Sequence, residues 1–133
     1  MTKSLNIKTA MLCEYVARGD RNKHTLINIF SGDVVVGDWP AHLVFGVYLE
    51  IIPDTETPID IRLEIKLGRR KMVEAVINLK NQRLNTPAVF ALPQFPIQIE
   101  EDSRLNIFIS GIGEHQYRRK KILSKRIFKG DLG

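Results

Sequence analysis

From Ile59 to Lys80 apolar and polar residues alternate with a period of two, and no other feature limits the fold of this chain as sharply. Ile59, Ile61, Leu63, Ile65 and Leu67 occupy odd positions, with Asp60, Arg62, Glu64 and Lys66 between them. After Gly68-Arg69-Arg70-Lys71, the residues Val73, Ala75, Ile77 and Leu79 resume the odd positions. Side chains of a strand point alternately to opposite faces, so the spacing describes two strands with one buried face each. Pairing Leu67 with Val73 and Ile65 with Ala75 predicts a five-residue loop and keeps the apolar faces together. The same register sets Lys66 opposite Glu74 and Asp60 opposite Lys80, pairs contributing about 0.2–1 kcal/mol each.

Turn-forming residues punctuate the rest of the chain at short intervals. Met11–Ala17 and Thr25–Phe30 read as strands joined through Gly19-Asp20-Arg21-Asn22-Lys23. Placing Ala17 opposite Thr25 keeps Tyr15 with Ile27 and Cys13 with Ile29 on one face. Val34–Val36 reads as a short strand, and Leu43–Ile52, apolar on both faces, as an interior one. Ala88–Leu92 reads as a strand closed by Pro93-Gln94-Phe95-Pro96, with Ile97 and Ile99 and then Leu105, Ile107 and Ile109 alternating after it. Gly111-Ile112-Gly113-Glu114 turns the chain into its last segment, and any helix over Lys80–Thr86 is limited to one turn. Eight or nine short strands predict an all-β protein, an antiparallel β-sandwich of immunoglobulin-like or jelly-roll type. At 133 residues this is one domain, 1–133, able to bury about two-thirds of its unfolded surface.

No apolar run reaches membrane-span length, and no apolar segment follows the first lysine as in a secretory leader. With the single Cys13, this predicts a protein of the reducing cytoplasm, without a membrane partner. The net charge of +5 is concentrated in a basic strand or segment at 116–129. Arg118, Arg119, Lys120, Lys121, Lys125, Arg126 and Lys129 lie there with no acidic residue among them, and the remainder of the chain is slightly acidic.

Such a cluster admits two explanations. Clustered cations release counterions from phosphates, which makes Arg118, Arg119, Lys120, Lys121, Lys125 and Arg126 a polyanion-binding candidate, with Tyr117 or Phe128 stacking on bases. Arg69-Arg70-Lys71 extends it only if the hairpin tip lies nearby. Alternatively, a terminal strand at a sheet edge carries lysine and arginine to block edge-to-edge pairing. Ile122, Leu123, Ile127 and Phe128 within the run favour a packed strand.

Other chemistry has little support in the residues. His24, His42 and His115 show no paired metal-ligand spacing, and Asp33, Asp38, Asp54 and Glu56 stand singly in turns, so no metal and no cofactor is expected. No G-x-S-x-G, P-loop or dinucleotide fingerprint occurs, and Gly111-Ile112-Gly113 lacks the third glycine. Cys13, set among apolar residues, reads as a buried inert thiol, and Trp39 as a cover over one end of the core. No catalytic residue and no enzymatic activity are expected.

Three segments together resemble a family of small bacterial β-sandwich proteins known only as a domain of unknown function. They are Met11-Leu12-Cys13-Glu14-Tyr15 with Thr25–Phe30, Trp39-Pro40-Ala41-His42-Leu43-Val44, and Phe90-Ala91-Leu92-Pro93-Gln94-Phe95 leading to Ile109-Ser110-Gly111. The resemblance implies a compact sandwich and no catalytic residue or cofactor. It leaves the basic C-terminal run outside the pattern. The functional expectation is a non-enzymatic cytoplasmic binding or assembly module with an unknown protein partner. The alternatives are nucleic-acid or other polyanion binding and a phage or secretion-machine structural subunit. Homodimerisation through an edge strand is compatible with all three.

Overall fold

β-Branched residues at alternate positions form strands through almost the whole length of the chain. The computed structural model describes residues 3–21, 23–113 and 117–130. They build β1 (Asn6–Arg18), β2 (His24–Ile29), β3 (Val34–Val36), β4 (Ala41–Ile52), β5 (Ile59–Leu67), β6 (Arg70–Leu79), β7 (Ala88–Ile99), β8 (Ser103–Gly111) and β9 (Lys120–Lys129). One sheet has the order β2-β1-β4-β7 and the other β3-β9-β8-β5-β6, and every pairing is antiparallel except β3 with β9. The fold is an all-β sandwich, as the alternation predicts. No helix among the described residues is long and apolar enough to cross a membrane.

The inner faces share one core. Leu12, Phe45, Val47, Leu49 and Ile51 meet Ile61, Leu63, Ile65, Leu105, Ile107, Ile109 and Ile127, all sealed from solvent. Each such side chain contributes about 1.5–3 kcal/mol on leaving water. Trp39, followed by a cis bond to Pro40, packs half-buried against this core.

The predicted β1–β2 register holds, with Cys13, Tyr15 and Ala17 opposite Ile29, Ile27 and Thr25. So does the interior place of β4, between β1 and β7. The β5–β6 register differs from the expected one. Leu67 pairs with Arg70 across a two-residue turn, Ile65 with Val73, Leu63 with Ala75 and Asp60 with Asn78. Gly68, at φ 59, opens the turn in the left-handed region that tight hairpins use, and Met72 is the extra residue of a bulge. A slip of two residues preserves every side chain's face, so the apolar pattern cannot choose between the two registers. The predicted Lys66–Glu74 and Asp60–Lys80 pairs do not form. Glu64 stands opposite Glu74 instead, and Lys71 bridges both carboxylates at 3.3 and 3.0 Å while Arg62 meets Glu74 at 3.0 Å.

The segments predicted on either side of Pro93 are one strand. β7 carries an extra residue opposite Gly46, since Phe45 pairs with Phe95 but Val47 with Leu92. This shifts the inward phase from Phe90 and Leu92 to Phe95, Ile97 and Ile99. Pro93 and Pro96 are tolerated because β7 is an edge strand.

Gly46 also marks a crossing. β1 pairs with β4 only as far as Cys13–Gly46, after which the β1–β2 hairpin folds over the outer face of β4 toward β7. Val16 is buried beneath it, and the His24 ring lies 5.5 Å from that of Tyr48. A β-carbon at Gly46 would stand 2.7 Å from the Pro93 carbonyl oxygen and 3.2 Å from the Val16 nitrogen. Only a residue without a side chain lets the two layers approach this closely.

Candidate interaction surfaces

The sheet-edge position, one of the two explanations of the basic segment, holds for β9 only in part. The strand lies second from the edge, with β3 covering its last three residues in parallel register. The six candidate cations therefore diverge. Arg118 donates from Nε to Ser4 Oγ at 2.8 Å, and its backbone N–H bonds the Lys3 carbonyl at 2.8 Å. Lys120 and Lys125 stand opposite Ile109 and Leu105, whose side chains enter the core. Their ammonium groups donate to the carbonyls of Leu5 at 3.5 Å and Ser31 at 3.2 Å. Both lysines thus lay their stems along apolar surface at the stretch of β9 that β3 leaves open, a device that discourages strand addition. Edge protection accounts for these two residues better than phosphate binding does.

The other three lie on the outer face of the five-stranded sheet. Arg119 stacks 3.8 Å from the Phe108 ring centre, and its Nε is 3.6 Å from Glu64. Lys121 approaches the same ring at 5.9 Å. Arg126 grips Asp102 with two donors at 2.6 and 3.3 Å and lies 4.7 Å from the Phe128 ring. The Asp102 carboxyl is held below its ordinary range by this hydrogen bond. Cross-strand register adds residues that the segment alone does not reveal: Arg104 faces Arg126, Lys66 faces Asn106, and Phe108 faces Lys121 and Glu64. Arg69 and Arg70 do come close, since the Gly68 N–H bonds the Arg104 carbonyl at 2.9 Å. They line a groove of about 1030 Å³ whose opposite wall carries Glu100, Glu101 and Asp102. The face is cationic toward β8–β9 and charge-balanced toward β6.

Tyr117, expected to stack on bases, is buried and engaged. Its hydroxyl donates to Asp54, whose other oxygen meets Lys3 at 3.4 Å. Burial and then the Asp54 partner push Tyr117 up to about 12, while the Tyr117 hydroxyl holds Asp54 below the usual carboxylate range. The Asp54 contribution is present above about pH 4 and is lost as pH falls through the depressed folded value. The Tyr117 contribution is complete below about pH 10 and is lost as pH rises through the folded value. Tyr117→Phe is therefore expected to lower Tm at neutral pH and flatten both outer limbs of a Tm–pH profile. Parallel profiles for the two proteins would show that the bond contributes nothing.

The second surface is apolar. Met11, Tyr15, Ile27 and Ile29 lie on the solvent side of the β1–β2 hairpin, between 37% and 45% exposed. Register explains their grouping: Tyr15 faces Ile27, and Ile29 faces Cys13, two residues from Met11. The alternation was legible in sequence, but it marked these side chains as strand residues without showing that no layer covers them. Cys13 itself is sealed, and its thiol lies 3.4 Å from the Tyr15 carbonyl and 3.6 Å from that of Gly46. Burial pushes it up, away from the reactive thiolate.

Among the described residues no three of His, Cys, Asp or Glu converge as a metal would require. His115 lies outside the described residues, as do Asn22, Glu114 and Gln116. No family model matches the chain, and no curated protein matches it.

Proposed function

We propose that the chain is a non-enzymatic binding or assembly module whose contact surface is the solvent side of the β1–β2 hairpin. The observation that supports this reading is the group Met11, Tyr15, Ile27 and Ile29, each half-exposed and brought onto one hairpin by the β1–β2 register. Elsewhere the exposed apolar strand residues Val35, Val76 and Val89 stand on three separate strands, and the outer positions around Val76 carry charge at Arg62, Glu64 and Glu74, so an apolar group gathered on one hairpin indicates a surface that leaves water on binding. A photo-crosslinking residue placed at Ile27 is expected to form an adduct in cells, and the same residue at exposed Val76 on β6 is not. Equal labelling, or adducts only from Val76, would count against the hairpin.

Arg119 and Lys121 flanking Phe108, beside Arg104 and Lys66, favour a second reading in which the sheet's outer face holds a polyanion. Arg119→Glu with Lys121→Glu is expected to weaken binding to single-stranded nucleic acid at low salt by about tenfold or more. The wild-type affinity should also fall steeply as salt rises. Binding that ignores both salt and charge reversal would remove this reading.

A further inference from the structure

The β1–β2 hairpin has a second face, turned toward the sheet it folds over, and that face covers a hollow. Val16 and Arg18 share it because alternate residues of a strand point the same way. The register sets Leu26 opposite Val16 and His24 opposite Arg18. Beneath them runs β7, where Ala88, Phe90 and Leu92 pack against the core and Val89 and Ala91 point outward. Between hairpin and strand lies a half-enclosed cavity of about 450 Å³, a volume typical of sites for small organic ligands. Its lining follows β7 from Pro87 to Pro93, about 20 Å of extended chain, so the cavity is a trough.

The two ends of the trough differ in chemistry. Val16 and Pro93 lie together, since a β-carbon at Gly46 would touch both. Toward the other end the His24 ring lies 5.5 Å from that of Tyr48, which pairs with Ala91, and Arg18 stands beside His24 by register. No acidic residue lines the cavity. Among the described residues Arg18 forms no ion pair, and Glu50, opposite Val89, accepts from the Tyr48 hydroxyl at 3.2 Å instead. The turn beyond adds Arg21 and Lys23 against Asp20, so this end is cationic.

We propose that the trough binds a linear aliphatic carboxylate, with its head group on Arg18 and His24 and its chain laid over Val89 and Ala91 toward Val16 and Pro93. The planar guanidinium fork matches a carboxylate with two parallel donors, and the imidazole supplies a third. Valine, alanine and proline form the remaining walls, which suits an extended chain better than an aromatic ring. The site lies on the opposite side of the hairpin from Tyr15 and Ile27, so it stands apart from the protein-binding face.

Calorimetric titration and amide chemical shifts of the full chain test the proposal, using linear acids from hexanoate to decanoate below their micelle concentrations. Affinity should rise about threefold per added methylene, with shifts centred on Val16, His24, Val89 and Ala91. Arg18 is exposed, so Arg18→Gln should fold normally and weaken decanoate about tenfold or more. Decylamine, with the same chain and the opposite charge, should bind at least tenfold more weakly than decanoate. Ala91→Phe should fill the trough and abolish binding, with a melting curve to show that it folds. Absence of saturable binding by any of the acids overturns the proposal, as does decanoate binding indifferent to Arg18→Gln or matched by decylamine. Shifts confined to Tyr15, Ile27 and Ile29 would place the acid on the hairpin's solvent side and overturn it as well.

Discussion

Gly46→Ala should destabilise the fold by about 2–4 kcal/mol and lower Tm by about 10 °C, although it adds one methyl group to an interior strand. The new β-carbon would meet the Pro93 carbonyl oxygen at 2.7 Å and the Val16 nitrogen at 3.2 Å. Both obstacles are backbone, so a rotamer change cannot relieve them. Either the β7 bulge or the folded-over hairpin must move. Losing the hairpin's seat would expose Val16, which is 2% accessible, and open Cys13, which is fully sealed. Thermal denaturation measures the first effect, and the rate of thiol modification at Cys13 measures the second. An alanine variant with wild-type Tm and an unreactive thiol would show that the crossing tolerates a side chain.

Phe45→Ala, one residue away, should cost about 3–5 kcal/mol for a different reason. Phe45 is fully buried, with the Phe30 ring at 5.4 Å in an edge-on arrangement and the Phe95 ring at 5.9 Å, tilted. Removing it leaves a cavity walled by two aromatic rings and takes away their favourable edge and tilted contacts. Phe30 follows β2 and Phe95 lies in β7, so the loss is shared by both borders of the four-stranded sheet. Phe45→Leu, which keeps most of the volume, should lose less than half as much. Denaturant unfolding of both variants distinguishes cavity from surface effects: equal midpoints for Phe45→Ala and wild type would mean the site collapses without cost. Against a typical domain stability of about 5–15 kcal/mol, either of the two large substitutions consumes a substantial share.

These neighbours show the reach of sequence reasoning. The apolar run through Phe45, Val47, Leu49 and Ile51 announced an interior strand, and an interior strand it is. Nothing in the run announced that Gly46 would lie under a crossing, because that depends on where β1 stops pairing and on a bulge in β7. The β1–β2 register was legible because one short turn joins two patterned strands. The β5–β6 register was not, because a two-residue slip leaves the apolar pattern intact and turn geometry decides between the alternatives.

The same division runs through the candidate surfaces. Composition located the cations of 116–129 but could not show that β3 would cover only the last three residues of β9. Nor could it show that Lys120 and Lys125 would turn inward while Arg119 and Lys121 flank a phenylalanine from β8. Those outcomes depend on pairing between segments distant in sequence, which side-chain periodicity does not encode.

The all-β class, most of the strands and the buried faces of β5, β6 and β8 follow from the sequence, because a period of two is a local property of the backbone. Strand order, the β5–β6 register, the bulged continuity of β7 and the faces that remain uncovered came only from the assembled sheets. Each of those depends on which strand arrives beside another, and so on steric fit at points such as Gly46 rather than on hydrophobic pattern.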